Sequence, residues 1–161
     1  MKSRYVLAVL ALLCFPLLGS GCASKKAASR DQEVVVAQER AQREKLDMAA
    51  NELSAMIYFD FDKQALKPEA RRILTRKAEL MQEFPQMTLT IEGHGDERGT
   101  TEYNLALGKR RAQAAADYLV KQGVAPSRLS IVSYGKDRPQ DPSHSTAAWA
   151  KNRYDEFKAN Y

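Results

Sequence analysis

One run of this sequence constrains the fold more than any other: an alternating segment, a short polar loop with two glycines, and then a helical pattern. Residues 87–92 alternate apolar and polar side chains, which is typical of a strand with one buried face. The loop begins at His94 and places the carboxylate of Asp96 just beyond the strand. Gly95 and Gly99 supply the backbone freedom that a sharp turn needs. The run therefore predicts a strand, a turn and a helix in succession.

The helix predicted over residues 102–122 carries polar groups and one apolar residue on the same face. Asn104, Leu107 and Arg111 follow one another at spacings of four residues or fewer, so they point to the same side of the helix. The carboxylate of Asp96 and the guanidinium of Arg111 can thus be directed at one small space. Such a space suits a ligand that bears both an amine and a carboxylate.

The rest of the pattern predicts an α+β domain with the order β-α-β-α-β-β. Further strands are predicted at residues 56–61 and 129–134, and a helix at residues 68–84 whose core-facing stripe includes Lys77. A last strand is predicted over residues 153–159, although a helix continuing from Thr146 competes for the same residues. Right-handed crossovers would place the helices on one face of a mixed sheet, as a two-layer sandwich.

The N-terminal segment has the features of a lipoprotein export signal. Residues 1–21 combine a basic start with an apolar run that is short for a membrane span. Cys22 is the predicted lipidation site, but Leu18 stands four residues before it instead of the usual three, so a simple export signal is the alternative. Residues 22–54 are predicted to form a tether, flexible over residues 24–30 and helical afterwards, as a spacer or as a coiled coil. The folded domain is predicted over residues 55–161.

Four stretches of the chain resemble the outer-membrane-protein-A C-terminal domain family. They cover roughly the last two thirds of the sequence in the family's order: residues 58–63, 94–112, 132–136 and 151–153. The resemblance implies the same two-layer fold, including the last strand. Asp155 and Lys158 stand within that strand where the family tends to have apolar residues.

The resemblance also implies a ligand, the meso-diaminopimelate in the peptide stem of peptidoglycan. In this reading Asp96 accepts hydrogen bonds from the ammonium of the ligand, and Arg111 grips its carboxylate with two parallel donors. The expected ligand-binding residues are Asp96, Arg111, Asn104, Leu107, Gly95, Glu97, Asp62 and Arg153. Arg98 and Arg110 are expected to be solvated charges.

Residues 58–63 and 97–100 favour the branch of the family that works with the Tol envelope proteins. That likeness implies a lipid anchor in the outer membrane, non-covalent attachment to peptidoglycan, TolB and other Tol proteins as partners, and a role in envelope integrity and cell division. A wall-anchoring lipoprotein of the same family outside the Tol system is the alternative, since the ligand-binding residues would be the same.

Other functional classes are disfavoured by the sequence. A metal or acid–base centre at His94, Asp96 and Glu97 is conceivable because His94 and Asp96 point to one side of an extended segment, but the other histidine, His144, lies in a proline-rich loop. We therefore predict no enzymatic activity, no cofactor and no metal. The net charge of +5 is small, and the basic residues are scattered along the sequence. Nucleic acid is therefore not an expected partner.

Overall fold

A computed structural model of the protein describes residues 21–161, with side chains from residue 32 onward. The predicted signal, residues 1–21, therefore lies outside the described residues except for Gly21, and so does the side chain of Cys22. The described part of the chain divides into two units between Arg40 and Ala41, and each is described by itself.

Helix α1, Gly21–Leu53, begins in the first unit and ends in the second. Residues 24–30 were predicted to be flexible, but they are helical, because residues 22–53 contain neither glycine nor proline and are rich in good helix formers. The side chains of residues 32–40 are all exposed. None of the helices in the described part of the chain combines the length and hydropathy that a membrane span needs.

The end of α1 belongs to the packed core of the second unit. Ala49 and Leu53 are buried there, together with Ile57, Leu74 and Phe157. The packed unit therefore starts before residue 55, the predicted boundary, because the weak apolar stripe near the end of α1 finds a core to cover it.

The second unit continues as alternating strands and helices, and the predicted α+β architecture is confirmed. The elements after α1 are β1 Ile57–Tyr58, α2 Pro68–Glu83, β2 Thr88–His94, α3 Thr101–Lys121, a 3-10 turn Pro126–Arg128, β3 Leu129–Gly135, α4 Thr146–Asn152 and β4 Tyr154–Asn160. The strands form a mixed sheet in the order β1-β4-β2-β3, in which β2 and β3 are parallel. Strand β4 lies antiparallel to both β1 and β2.

The predicted last strand is present. The alternative, a helix continuing from Thr146, forms only over the residues before that strand. Helix α4 ends at Asn152, and β4 then pairs with β2 in a register that sets Phe157 opposite Ile91. Both side chains are buried in the core. A continuous helix would lose this burial together with the pairing of the central strand.

Strand β1 is shorter than predicted. Residues 56–61 alternate in the sequence, but only Ile57 and Tyr58 pair as a ladder with β4. The backbone N–H of Phe59 still donates to the carbonyl of Arg153 at 2.9 Å. The chain then leaves the sheet and turns at Asp62, whose φ of 55° is left-handed.

Helix α3 lies unusually close to the sheet. A Cβ at Gly93 would fall 2.0 Å from the carbonyl oxygen of Gly108, so this crossing requires glycine on both elements. Below it, the small residues Ala112 and Ala115 are fully buried. The close approach carries Arg111 to the carboxyl end of β2.

Candidate functional site

A cavity of about 170 Å³ lies where the end of β2 meets the first turns of α3. It brings together six of the predicted ligand-binding residues, and Gly95 and Glu97 are not among those that line it. The lining residues are Phe61, Asp62, Asp96, Arg98, Gly99, Tyr103, Asn104, Leu107, Arg111 and Arg153. Both charged groups that the sequence singled out, Asp96 and Arg111, therefore face the same space.

Arg111 is anchored by the protein backbone. Its Nε donates to the carbonyl of Lys63 at 2.9 Å, Nη1 to that of His94 at 2.8 Å, and Nη2 to that of Asp60 at 3.2 Å. The guanidinium carries five N–H donors, so one remains on each terminal nitrogen. Burial lowers the pKa of Arg111 to about 10, and the side chain is still cationic at neutral pH.

A second buried ionisable group lies near Arg111. Asp155 on β4 is fully buried, and neither of its oxygens has a hydrogen-bond partner within the described residues. Burial raises the pKa of Asp155 well above its usual range, while the charge of Arg111 opposes that shift. One signal in the sequence marks this residue, since its carboxylate stands where the family tends to be apolar.

Asp96 is held by two arginines and makes no hydrogen bond to Arg111. Arg98 donates to it from its backbone N–H at 3.2 Å, from Nε at 3.1 Å and from Nη2 at 2.7 Å. Arg153 adds a bond from Nη1 at 3.2 Å. Burial alone would raise the pKa of Asp96, but the bonds from Arg98 and then Arg153 bring that pKa below its usual range. The carboxylate is therefore ionised and already has four donors.

The expectation that Arg98 is a solvated charge is wrong. Its guanidinium lies between two aromatic rings, 3.9 Å from the centroid of Phe61 and 4.3 Å from that of Trp149. The hydrogen bonds that Arg98 donates to Asp96 raise the pKa of Arg98. Sequence reasoning missed this stack, because Trp149 is far from Arg98 along the chain and only the fold brings them together.

Asn104 and Gly95 act on the shape of the loop. The amide nitrogen of Asn104 donates to the carbonyls of Arg98 and Thr100 at 2.8 and 3.0 Å. Thr100 is also the N-cap of α3, since its hydroxyl accepts from the backbone of Tyr103. A Cβ at Gly95 would lie 2.7 Å from the side-chain oxygen of Asn104, so Gly95 leaves room for that amide.

Glu97 points away from the cavity and links the loop to the region of α4. Trp149 Nε1 donates to it at 2.6 Å, and His144 Nδ1 lies 2.5 Å from its other oxygen. These bonds, first from Trp149 and then from His144, lower the pKa of Glu97. Its contribution is therefore to hold the Trp149 ring against Arg98.

Asp62 and Tyr103 close another side of the cavity. The phenol of Tyr103 donates a hydrogen bond to Asp62, which raises the pKa of that phenol. Sequence reasoning named Asp62 but missed Tyr103 and Phe61. The sequence contains a signal for both, because Phe61 adjoins Asp62 and Tyr103 adjoins Asn104.

The conceivable centre of His94, Asp96 and Glu97 is not assembled. The His94 ring stacks on Tyr154, with centroids 4.2 Å apart and planes 6° apart, and more distantly on Tyr134. Burial lowers the pKa of His94 to about 4. Because Asp96 and Glu97 bond to other side chains, the three groups do not converge.

The sequence model of the OmpA family matches residues 58–153. A peptidoglycan-associated lipoprotein of Mesorhizobium japonicum is 39% identical over 94% of this chain and 89% of that protein. A peptidoglycan-associated lipoprotein of Pseudomonas aeruginosa is 49% identical over 70% of this chain and 66% of that protein.

Solved structures of related proteins have the same fold as this chain. The peptidoglycan-associated lipoprotein of Burkholderia pseudomallei superposes with a TM-score of 0.64 at 38% identity, covering 65% of this chain and 89% of that one. The C-terminal domain of Helicobacter pylori MotB has the same fold, with a TM-score of 0.62 at 24% identity over 66% of this chain and 84% of that one. The chain therefore belongs to the OmpA family and, within it, to the group of the peptidoglycan-associated lipoproteins.

Proposed function

We propose that this protein is a non-enzymatic tether that binds peptidoglycan without a covalent bond, through the meso-diaminopimelate of the peptide stem. The observation that carries the proposal is that Asp96 and Arg111 line one cavity of about 170 Å³. Diaminopimelate ends in an ammonium and a carboxylate on one carbon. An anionic and a cationic side chain facing the same small space match those two charges.

Arg111 is the receptor for the ligand carboxylate. Its backbone bonds fix the plane of the guanidinium, and the two donors that remain sit one on each terminal nitrogen. A guanidinium held in this way can donate these N–H groups to a ligand carboxylate with little loss of side-chain entropy. Leu107 supplies the apolar wall beside it.

Asp96 is the receptor for the ammonium, which must first displace Arg98. The carboxylate already accepts four hydrogen bonds, three of them from Arg98. The Arg98 side chain is one-third exposed, so it can move into solvent, at the cost of its stacking on Phe61 and Trp149. The ammonium of the ligand would then replace one cation at Asp96 with another.

This arrangement explains a preference for one kind of peptide stem. Lysine carries the ammonium but has no carboxylate at the end of its side chain. A lysine stem would leave the remaining donors of Arg111 without a partner, which is an unfavourable state for a buried cation.

Calorimetric titration with stem peptides tests the binding proposal. A peptide with meso-diaminopimelate should bind, and a matched peptide with lysine should bind at least about tenfold more weakly, since one charge-assisted contact is worth about 1.5–3 kcal/mol. Equal affinity for both peptides would contradict the assignment of Arg111.

Membrane attachment and Tol partners form the finer part of the proposal. We infer that Cys22 carries the acyl chains and that the lipid lies in the periplasmic face of the outer membrane. The support is the lipoprotein name of the relatives and the small residues that precede Cys22. Labelled palmitate should be incorporated into the chain, and Cys22→Ser should abolish the label and release the protein from membranes.

We further infer that the protein works with TolB and the other Tol proteins in envelope integrity and cell division. Affinity capture with TolB separates this role from that of a wall anchor outside the Tol system. Capture is expected, and it should decrease when diaminopimelate peptide is added if the two ligands share one face. An intact interaction with peptidoglycan but none with TolB would favour the alternative.

A further inference from the structure

Three side chains with metal-binding atoms meet on strands β2 and β4, outside the cavity. Glu92 and His94 are two residues apart on β2, so they share the sheet face opposite Ile91. Glu156 on β4 is the direct cross-strand partner of Glu92. One ligand atom from each of the three lies within 4.8 Å of the others.

The imidazole of His94 is buried and its nitrogens are unsatisfied. The side chain is 1% exposed, and neither Nδ1 nor Nε2 meets a partner in hydrogen-bond geometry within the described residues, although the backbone of Arg138 approaches the ring. Stacking on Tyr154 fixes the plane of the ring but uses neither nitrogen. A buried polar atom without a partner is unfavourable, and a bound ion or water is a usual explanation.

The charges of the two glutamates, Glu92 and Glu156, also favour a bound cation. Carboxylates directly opposite each other on neighbouring strands repel. Lys158 Nζ lies 2.8 Å from Glu92 Oε2 and offsets part of this repulsion, and its side chain is about half exposed. Among the described residues Lys158 forms an ion pair only with Glu92, while the charges of Arg138 and Lys158 both act on the imidazole of His94.

We propose that Glu92, His94 and Glu156 bind a divalent transition-metal cation such as zinc. One imidazole nitrogen with two carboxylate oxygens is a known kind of zinc ligand set, and water can take the fourth position. On binding, the three ligand atoms would move closer together than they are now. The exposed ammonium of Lys158 would move away from Glu92, whose carboxylate would then bind the metal.

Such a metal would join β2 to β4 at the strand end that shapes the cavity. The backbone carbonyl of His94 accepts the bond from Arg111 Nη1 at 2.8 Å. The site is separate from the cavity, because none of its three ligands lines that space. Metal binding therefore stands or falls independently of peptidoglycan binding.

Zinc titration of the full chain tests the proposal. The protein is purified in mild detergent and treated with chelator, with Cys14→Ser and Cys22→Ser in every sample because thiolates bind zinc. We expect one zinc per chain with a Kd below roughly 10 µM. The chain has only two histidines, so nitrogen-15 labelling of both should show zinc-induced ring shifts for His94 and none for His144.

Three variants make the outcome decisive. Glu156→Gln should weaken zinc binding at least about tenfold, and the matched control Glu79→Gln, on the exposed side of α2, should leave it unchanged. Lys158→Met should strengthen binding, since it removes the competing cation. Absence of binding, a shift of His144 instead of His94, or equal affinity in Glu156→Gln would overturn the proposal.

Discussion

Arg111 bonds to the backbone and also lines the cavity, so its replacement should affect both stability and ligand binding. The side chain donates to the backbone carbonyls of Lys63, His94 and Asp60, and it lies 5.1 Å over the ring of Phe59. Arg111→Ala should therefore lower the free energy of unfolding by about 3 kcal/mol or more and also abolish ligand binding. Urea denaturation measures the first effect and calorimetry the second.

The neighbouring Arg110 supplies the control for that prediction. It is exposed, and its guanidinium lies 6.0 Å from the centroid of the Tyr103 ring. Arg110→Ala should change the free energy of unfolding by no more than about 0.5 kcal/mol. If both variants unfolded at the same urea concentration, Arg111 would not be the structural anchor described above.

Arg98 competes with the ligand for Asp96 if the ammonium binds there. Arg98→Gln removes two side-chain donors from the carboxylate and leaves Arg153 in place. We expect the dissociation constant for the diaminopimelate peptide to fall several-fold, as measured by calorimetry. Weaker binding would mean that Arg98 itself contacts the ligand, and Asp96 would then be a positioning residue.

The limits of sequence reasoning at single positions follow from sequence distance. Asp96, Asn104, Leu107 and Arg111 lie within one strand–turn–helix run, where periodicity alone fixes which side chains face one another. The stack of Arg98 with Trp149 requires α4 to lie beside the loop. The buried state of Asp155 depends on the pairing of β4 with two other strands, which no local pattern encodes.

Among the elements of secondary structure, α2, β2, α3 and β3 could be predicted because each has a long and regular apolar pattern. Two of the differences from the prediction arise where the pattern is short. Strand β1 loses its outer residues to the turn at Asp62, and the weak stripe at the end of α1 proves to be a core contact through Leu53. Packing decides such cases, and packing is a property of the assembled fold.

The contact between α1 and α2 makes stability depend on pH. Lys77 on α2 is 1% exposed, donates to the carbonyl of Leu53 and lies 4.1 Å over the ring of Phe157. Burial lowers the pKa of Lys77 to about 7 from its usual 10.5, and the charge of Glu52 opposes this only in part. Between these values the unfolded chain holds a proton that the folded chain lacks, so stability rises with pH.

Lys77→Met tests this linkage. The free energy of unfolding of the unsubstituted chain should rise by a few kcal/mol between pH 7 and pH 10, and that rise should be largely absent in the variant. Lys109→Met, at an exposed position of α3, should keep the rise. Identical pH profiles for the unsubstituted chain and Lys77→Met would show that Lys77 is solvated.

The proposed anchoring role requires that one cavity recognise both charges of a wall amino acid. Co-sedimentation of the protein with intact sacculi measures this most directly. We expect the protein to pellet with sacculi that contain diaminopimelate, to stay in solution with sacculi that contain lysine, and to be released by free meso-diaminopimelate. Equal pelleting with both kinds of sacculi, or with neither, would contradict the account.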